Sequence, residues 1–201
     1  MADDGSTDET AAVAEGFQPR HSSLRVLRQP HRGKGGAVKA GMLAASGENL
    51  FLCDADFSMP VTELAKFLPL LQGAYDVAIA SREGPLARRI GEPSYRHLMG
   101  RVFNLIVRIF AVPELQDTQC GFKCFRRDVA RKVLALQTID TWGFDVEVLF
   151  IARKYGFRIA EVPIDWYYSA SSKINPIRDT VNMFREVLQV RWNDIQGRYR
   201  S

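Results

Sequence analysis

The chain has 201 residues, 46% of them hydrophobic and 25% charged, a balance that fits one globular domain and excludes a disordered or fibrous polymer. Twenty-seven Lys and Arg against 23 Asp and Glu leave a net charge of +4, a mild basic excess that suits anionic ligands and gives no sign of nucleic acid as a partner. The longest run without a charged residue, Phe67 to Tyr75, falls far short of the roughly 20 apolar residues that cross a bilayer.

Taken in chain order, Asp3-Asp4-Gly5-Ser6-Thr7-Asp8 reads as a turn feeding a helix over 7–15 that Gly16 closes, with Ser6 and Glu9 in capping-box spacing. Such a turn follows a strand end, so a further strand is expected ahead of Met1. Leu24 to Leu27 reads as a short strand. Gly33, Gly35 and Gly36 then lead into an Ala-rich helix over 37–46 ended by Gly47. Asn49 to Cys53 is an apolar strand ending in Asp54-Ala55-Asp56, and Pro60 opens a helix reaching Gln72. Tyr75 to Ala80 is the next strand. The alternation predicts a mostly parallel sheet flanked by helices, with ligands at the strand C-termini, where Asp54, Asp56, Ser81 and Arg82 would share a rim. Tyr95 to Phe110 and Phe144 to Tyr155 read as helices, and Ile159 to Trp166 as a late strand. The run from Val102 to Phe110 is greasy for a solvent-facing helix and reads either as core or as a surface resting on lipid. In the last segment Ile177, Val181, Phe184, Leu188, Trp192 and Ile195 draw one apolar stripe, with Arg178, Arg185, Arg191 and Arg198 beside it. That stripe either docks the helix on its own domain or meets a membrane or a partner. The organisation expected is a domain over 1–168 and an amphipathic helical segment over 169–201.

Cys53, Cys120 and Cys124 are few and odd in number, and the N-terminus has no secretory pattern, which reads as a reducing compartment with cysteines used for packing. Asp54 and Asp56 are the strongest chemical signal: two carboxylates one residue apart at a strand end can converge on Mg²⁺ or Mn²⁺, which bridges diphosphate oxygens. A phosphatase-type aspartyl nucleophile with Ser58 nearby is the other reading of the pair. Gly33-Lys34-Gly35-Gly36 meets neither nucleotide-loop motif but leaves one lysine at a helix N-terminus, where anions bind. Arg82, Arg88, Arg89, Arg96 and Arg101 surround a Gly/Pro-containing connection and could clamp a phosphate. Asp117, Asp145 and Glu147 lie in apolar context, where a carboxylate needs a partner, and read as salt-bridge members. Trp142 and Trp166 read as core.

Taken in order, Asp3 to Asp8, Arg32-Gly-Lys-Gly-Gly-Ala37, Asp54-Ala-Asp56, Ser81-Arg82, Asp117-Thr-Gln-Cys-Gly-Phe-Lys123, Trp142-Gly-Phe-Asp-Val-Glu147 and Glu161-Val-Pro-Ile-Asp-Trp166 resemble the family 2 glycosyltransferases. Within that family the later blocks look like the dolichyl- and polyprenyl-phosphate glycosyltransferases. The resemblance implies an α/β fold of GT-A type, Rossmann-like and here lacking its first strand. It also implies inverting transfer of a hexose, glucose from UDP-glucose, to a dolichyl or polyprenyl phosphate, by an enzyme peripheral to the cytoplasmic face of a membrane. Under it Asp3 and Asp4 sit by the nucleotide base, and Lys34 near ribose or phosphate. Asp54 and Asp56 hold the metal and diphosphate, Arg82 and Arg96 the acceptor phosphate, and Lys173 belongs to a basic segment closing over the donor. An ionised acceptor phosphate needs little help from a base, so Asp117 is a catalytic-site candidate for positioning more than for proton removal. Two alternatives accompany this reading: a mannosyltransferase using GDP-mannose, and an inactive remnant that serves as an interaction module.

Overall fold

The computed structural model describes residues 1–56, 58–168 and 176–200, without the side chains of 176–180. Its first half runs β1 (Ala2–Asp3), α1 (Thr10–Gly16), β2 (Leu27–Arg28), α2 (Lys34–Ala44), β3 (Asn49–Cys53), α3 (Leu68–Gln72), β4 (Val77–Ser81), β5 (Arg88–Ile90) and α4 (Ser94–Phe110). The second half continues with β6 (Phe122–Arg126), α5 (Arg127–Leu136), α6 (Phe144–Lys154), β7 (Ile159–Pro163), β8 (Asp165–Tyr167) and α7 (Pro176–Ile195).

The central sheet has the order β3-β6-β4-β7. β6 runs antiparallel to both β3 and β4, whereas β4 with β7, β1 with β2 and β5 with β8 are parallel. Three of the four central strands therefore run the same way, but the inserted β6 makes two of the sheet's three pairings antiparallel, where the sequence predicted a mostly parallel sheet. Because β3 and β4 both oppose β6, they point the same way, and their C-terminal ends share one sheet edge with the N-terminal end of β6. Successive residues of a strand face opposite sides. Val77 and Ile79 accordingly join a core with α4, α5, α6 and α7, while Ala78 and Ala80 join a second one around Phe67 and Phe122. Phe51, Phe67 and Phe122 close that second core edge-to-face, with centroids 4.4–5.4 Å apart.

Several predicted elements change in detail. The helix expected over 60–72 is a 3-10 turn over Val61–Lys66 followed by α3. Pro69 lacks an N–H, and its ring clashes with the carbonyl four residues earlier, so no single helix runs through it. The late strand splits after Pro163 and changes partner, from β4 to β5. The Ser6–Glu9 capping box does not form: the Ser6 hydroxyl donates to Asp3, and Asp8 accepts from the Thr10 N–H. Trp142 is 47% exposed and so is not the core residue expected, whereas Trp166 is half-buried and packs against the second core.

The largest difference concerns α7. It docks through Val187, Val190 and Asn193, and the stripe read from the sequence turns outward, leaving Val181, Leu188, Trp192 and Ile195 exposed. Directional bonds select the inward face. Glu186 accepts from the Thr141 hydroxyl and the Gly143 N–H, Asn193 donates to Thr138 at 2.9 Å, and Lys154 pairs with Asp194 at 2.5 Å.

Candidate functional site at the C-terminal edge of the sheet

The site starts where β1 ends. The Asp3 carboxylate accepts from the Ser6 hydroxyl and backbone N–H, and these bonds hold it below its usual range. Asp4 reaches forward and accepts from the backbone N–H groups of Arg32 (2.9 Å) and Gly33 (3.0 Å), just ahead of α2. Gly33 has φ +117°, and a Cβ there would lie 2.6 Å from the Asp140 carbonyl, so only glycine lets the chain turn into α2 at this point.

Lys34, the first residue of α2, reaches the end of β3 and pairs with Asp54 at 2.7 Å. Its ammonium also lies 5.2 Å from the centre of the Trp142 ring. Burial disfavours the charge on Lys34, but Asp145 and Asp54 outweigh it and raise its pKa. Asp145 in turn pairs with the fully buried Lys123 beneath the site. Asp54 rests against Gly121, where a Cβ would lie 1.9 Å from its Oδ2. Asp56 is exposed and accepts from the Ser58 N–H at 3.0 Å. Among the described residues no three metal-ligating side chains converge, so the acid pair alone is no closed metal cage. Two carboxylates of hard oxygen do fit Mg²⁺ or Mn²⁺, ions that fill out their coordination with water and substrate phosphate.

Arg82 follows β4 at the same sheet edge. Its Nε and Nη2 bind Asp117 at 2.7 and 2.9 Å, and its backbone N–H donates to the same carboxylate. Burial opposes ionisation of Asp117, yet the Arg82 guanidinium overrides it and brings the carboxyl down to about 2. Asp117 is thus a fully buried anchor beneath Arg82. The guanidinium of Arg82 lies 5.3 Å from the Trp166 ring and that of Arg96 5.4 Å from Tyr168. Trp166 and Tyr168 meet edge-to-face at 6.1 Å, so one aromatic wall carries both arginines. Arg96 Nε has no hydrogen-bond partner among the described residues.

Asp3, Asp4, Lys34, Asp54 and Asp56 thus form one run, and Arg82, Asp117 and Arg96 a second along the edge. Lys173 lies outside the described residues. Glu147 is not the salt-bridge member expected from its apolar context: no ion pair reaches it among the described residues, and it accepts instead from Thr138, Ile139 and the Tyr199 hydroxyl. Cys120 and Cys124 are buried, and burial pushes both thiols up to about 12, as suits packing residues. Sequence reasoning missed Gly121 and Trp142 as site neighbours. Gly121 in particular has no local signal, because its constraint is a side chain 67 positions away in the chain.

Residues 1–134 match the family model described as Glycosyl transferase family 2. Over its whole length the chain is 35% identical to the dolichyl-phosphate beta-glucosyltransferase of Drosophila melanogaster and 33% identical to that of Homo sapiens, spanning 64% and 65% of those proteins. Among solved structures, mannosyl-3-phosphoglycerate synthase from Rubrobacter xylanophilus superposes with a TM-score of 0.66 at 20% identity, covering all of this chain and 64% of that one. Glucosyl-3-phosphoglycerate synthase from Mycobacterium tuberculosis, solved with Mn²⁺, UDP-glucose and phosphoglyceric acid, superposes at 0.62 with 21% identity, over 98% of this chain and 67% of that one. These likenesses establish the fold.

Proposed function

Since the chain belongs to glycosyl transferase family 2, we propose that it moves a hexose, glucose from UDP-glucose, to the phosphate of a dolichol or polyprenol with inversion at the anomeric carbon. The observation that carries this reading is the shared rim. A lysine–carboxylate run suited to a nucleotide diphosphate gathers at the end of β3, and an arginine pair suited to a phosphate, Arg82 at the end of β4 and Arg96 at the start of α4, stands across β6 from it, with the two strands pointing the same way. The full-length likeness to dolichyl-phosphate beta-glucosyltransferases supports the donor and acceptor classes.

In this reading Asp3 and Asp4 lie by the uracil ring. Lys34 exchanges Asp54 for a donor phosphate oxygen, which frees the carboxylate to work with Asp56. Asp54 and Asp56 would hold a divalent ion, which when bound would neutralise the charge that grows on the departing diphosphate. Arg82 and Arg96 orient the acceptor phosphate against the far face of the sugar. A phosphate oxygen forms the new bond to the anomeric carbon, the bond from that carbon to the diphosphate breaks, and UDP leaves with the electron pair. The acceptor oxygen is already ionised, so no proton needs to be removed. Asp117 is therefore a positioning residue that keeps Arg82 pointed. A lipid acceptor places the reaction at a membrane surface, on the cytoplasmic side where nucleotide sugars are.

Labelled UDP-glucose, Mn²⁺ and a short-chain polyprenyl phosphate should yield a lipid-linked sugar. Absence of product with this donor overturns the assignment, and product formed only from GDP-mannose moves the donor to mannose. Asp56→Ala should abolish metal-dependent donor binding, followed calorimetrically, while leaving the thermal midpoint in place, because the residue is exposed. Unchanged metal dependence would refute its role.

A further inference from the structure

The segment 137–143, between α5 and α6, is tied down along its length. Gln137 donates through its side chain to the Gly35 and Ile139 carbonyls. Glu147 of α6 accepts from the Thr138 and Ile139 N–H groups, and the Thr138 hydroxyl accepts from Asn193 of α7. Asp140 accepts through its carbonyl from the Gly36 N–H and through its carboxylate from Arg32, so the middle of the segment lies across the start of α2. Near its end the Glu186 carboxylate of α7 accepts from the Thr141 hydroxyl and from the Gly143 N–H, one partner on each side of Trp142. Gly143 leaves the room for this, because a Cβ there would lie 2.5 Å from Glu186 Oε2.

The residue held between those two bonds is not packed away. Trp142 is 47% exposed, although an indole is one of the largest apolar surfaces a fold can bury. Its ring stands 5.2 Å from the Lys34 ammonium, which itself pairs with Asp54. The acceptor arginines, Arg82 and Arg96, have an aromatic wall of their own in Trp166 and Tyr168, so Trp142 belongs to the other run of the site. A nucleotide sugar carries its hexose directly on the outer phosphate. With the phosphates at Lys34 and the acid pair, the hexose comes next to the indole. The C–H groups on the face of a pyranose are apolar and slightly positive, and the face of an indole is apolar and negative, so the two pack.

We propose that Trp142 is the platform on which the donor's hexose lies, and that Glu186 is the positioning residue through which α7 holds that platform. The inference rests on the donor reading given above and deepens it, by naming the side chain that meets the sugar and not the nucleotide. The work of Glu186 is its two hydrogen bonds. A glutamine there can replace them, its amide oxygen accepting from the Gly143 N–H and its NH₂ donating to the Thr141 oxygen.

The test is titration calorimetry of the full chain with Mn²⁺, comparing UDP with UDP-glucose, two ligands that share every group except the sugar. Trp142→Ala should keep UDP affinity within about twofold and weaken UDP-glucose about tenfold, and Trp142→Phe should recover most of the loss. In turnover, Trp142→Ala should raise KM for UDP-glucose by a similar factor and change kcat much less. Glu186→Ala should show the same split between the two ligands, Glu186→Gln should remove it, and Thr141→Val, at an exposed position, should show it in weaker form. Retained UDP binding reports that each variant is folded. Trp192→Ala, an exposed tryptophan on α7, should change neither affinity. Equal weakening of UDP and UDP-glucose in Trp142→Ala puts the role of the indole at Lys34 and overturns the platform, as does no weakening of either. A Glu186→Ala variant that binds both as wild type does, or a Glu186→Gln variant no better than Glu186→Ala, overturns the positioning role. Wild type that binds neither nucleotide removes the donor reading itself and the platform with it.

Discussion

A carboxylate touching a backbone with no side chain in between is a sensitive arrangement, and Asp54 against Gly121 is the instance here. Gly121→Ala would put a methyl 1.9 Å from Asp54 Oδ2, a contact relieved only by moving the end of the aspartate side chain. The expected outcome is lost donor binding in titration calorimetry with a shift of only a few degrees in thermal midpoint, since a side chain yields more easily than the sheet. Asp117 makes the opposite case, where the residue's work is structural. Its pKa falls from 3.8 to about 2 in the folded chain. A depressed carboxyl stabilises the fold above its unfolded value and loses that contribution as pH falls. The pair therefore contributes on the order of 2 kcal/mol at neutral pH, lost between pH near 4 and pH near 2. Chemical denaturation across that window should show the loss in wild type. It should be smaller in Asp117→Asn combined with Arg82→Met, a change that leaves no buried charge unpaired.

Elements with two apolar sides cannot be assigned by their stripe alone. The most regular apolar row of α7 lies outside, and the row that packs, Val187, Val190 and Asn193, includes a polar residue bonded to Thr138 and the Tyr199 hydroxyl. Val190→Ala should lower stability by roughly 2 kcal/mol, whereas Trp192→Ala should change it by less than about 0.5 kcal/mol. Equal costs in urea titrations would mean that the stripe is the docked face after all. At the other end of the fold, α2 approaches α6 so closely that a Cβ on Gly35 would lie 2.6 Å from that of Phe144. Gly35, in the first turn of α2 and not ahead of the helix as the sequence predicted, thus acts through helix packing.

Across the whole molecule, the ion pairs tie the layers to the site. Lys123 on the central strand β6 and Asp145 on α6 are both buried and paired, and Asp145 also helps hold the charge on Lys34 at the rim. Lys123→Met strands a buried carboxylate and should cost about 3–5 kcal/mol. Adding Asp145→Leu should recover most of that stability in thermal unfolding without restoring donor affinity, because the field acting on Lys34 has gone. Recovery of both would separate the layer-joining pair from the site.

Much of this arrangement was legible in the chain itself. Asn49 to Cys53 is a strand ending in the acid pair at the positions expected, Lys34 stands at a helix start, and Arg82 follows a strand, because apolar periodicity and glycine turns are local properties. The ordered blocks also carried the family. The tertiary structure decided what depends on residues distant in sequence. It inserted β6 antiparallel between β3 and β4, and set Gly121 under Asp54, Asp117 under Arg82 and Trp142 beside Lys34. It also chose which face of α7 is buried. A stripe states that a helix has an apolar side, but which side packs depends mostly on partners forty or more residues away, and local periodicity carries no information about them.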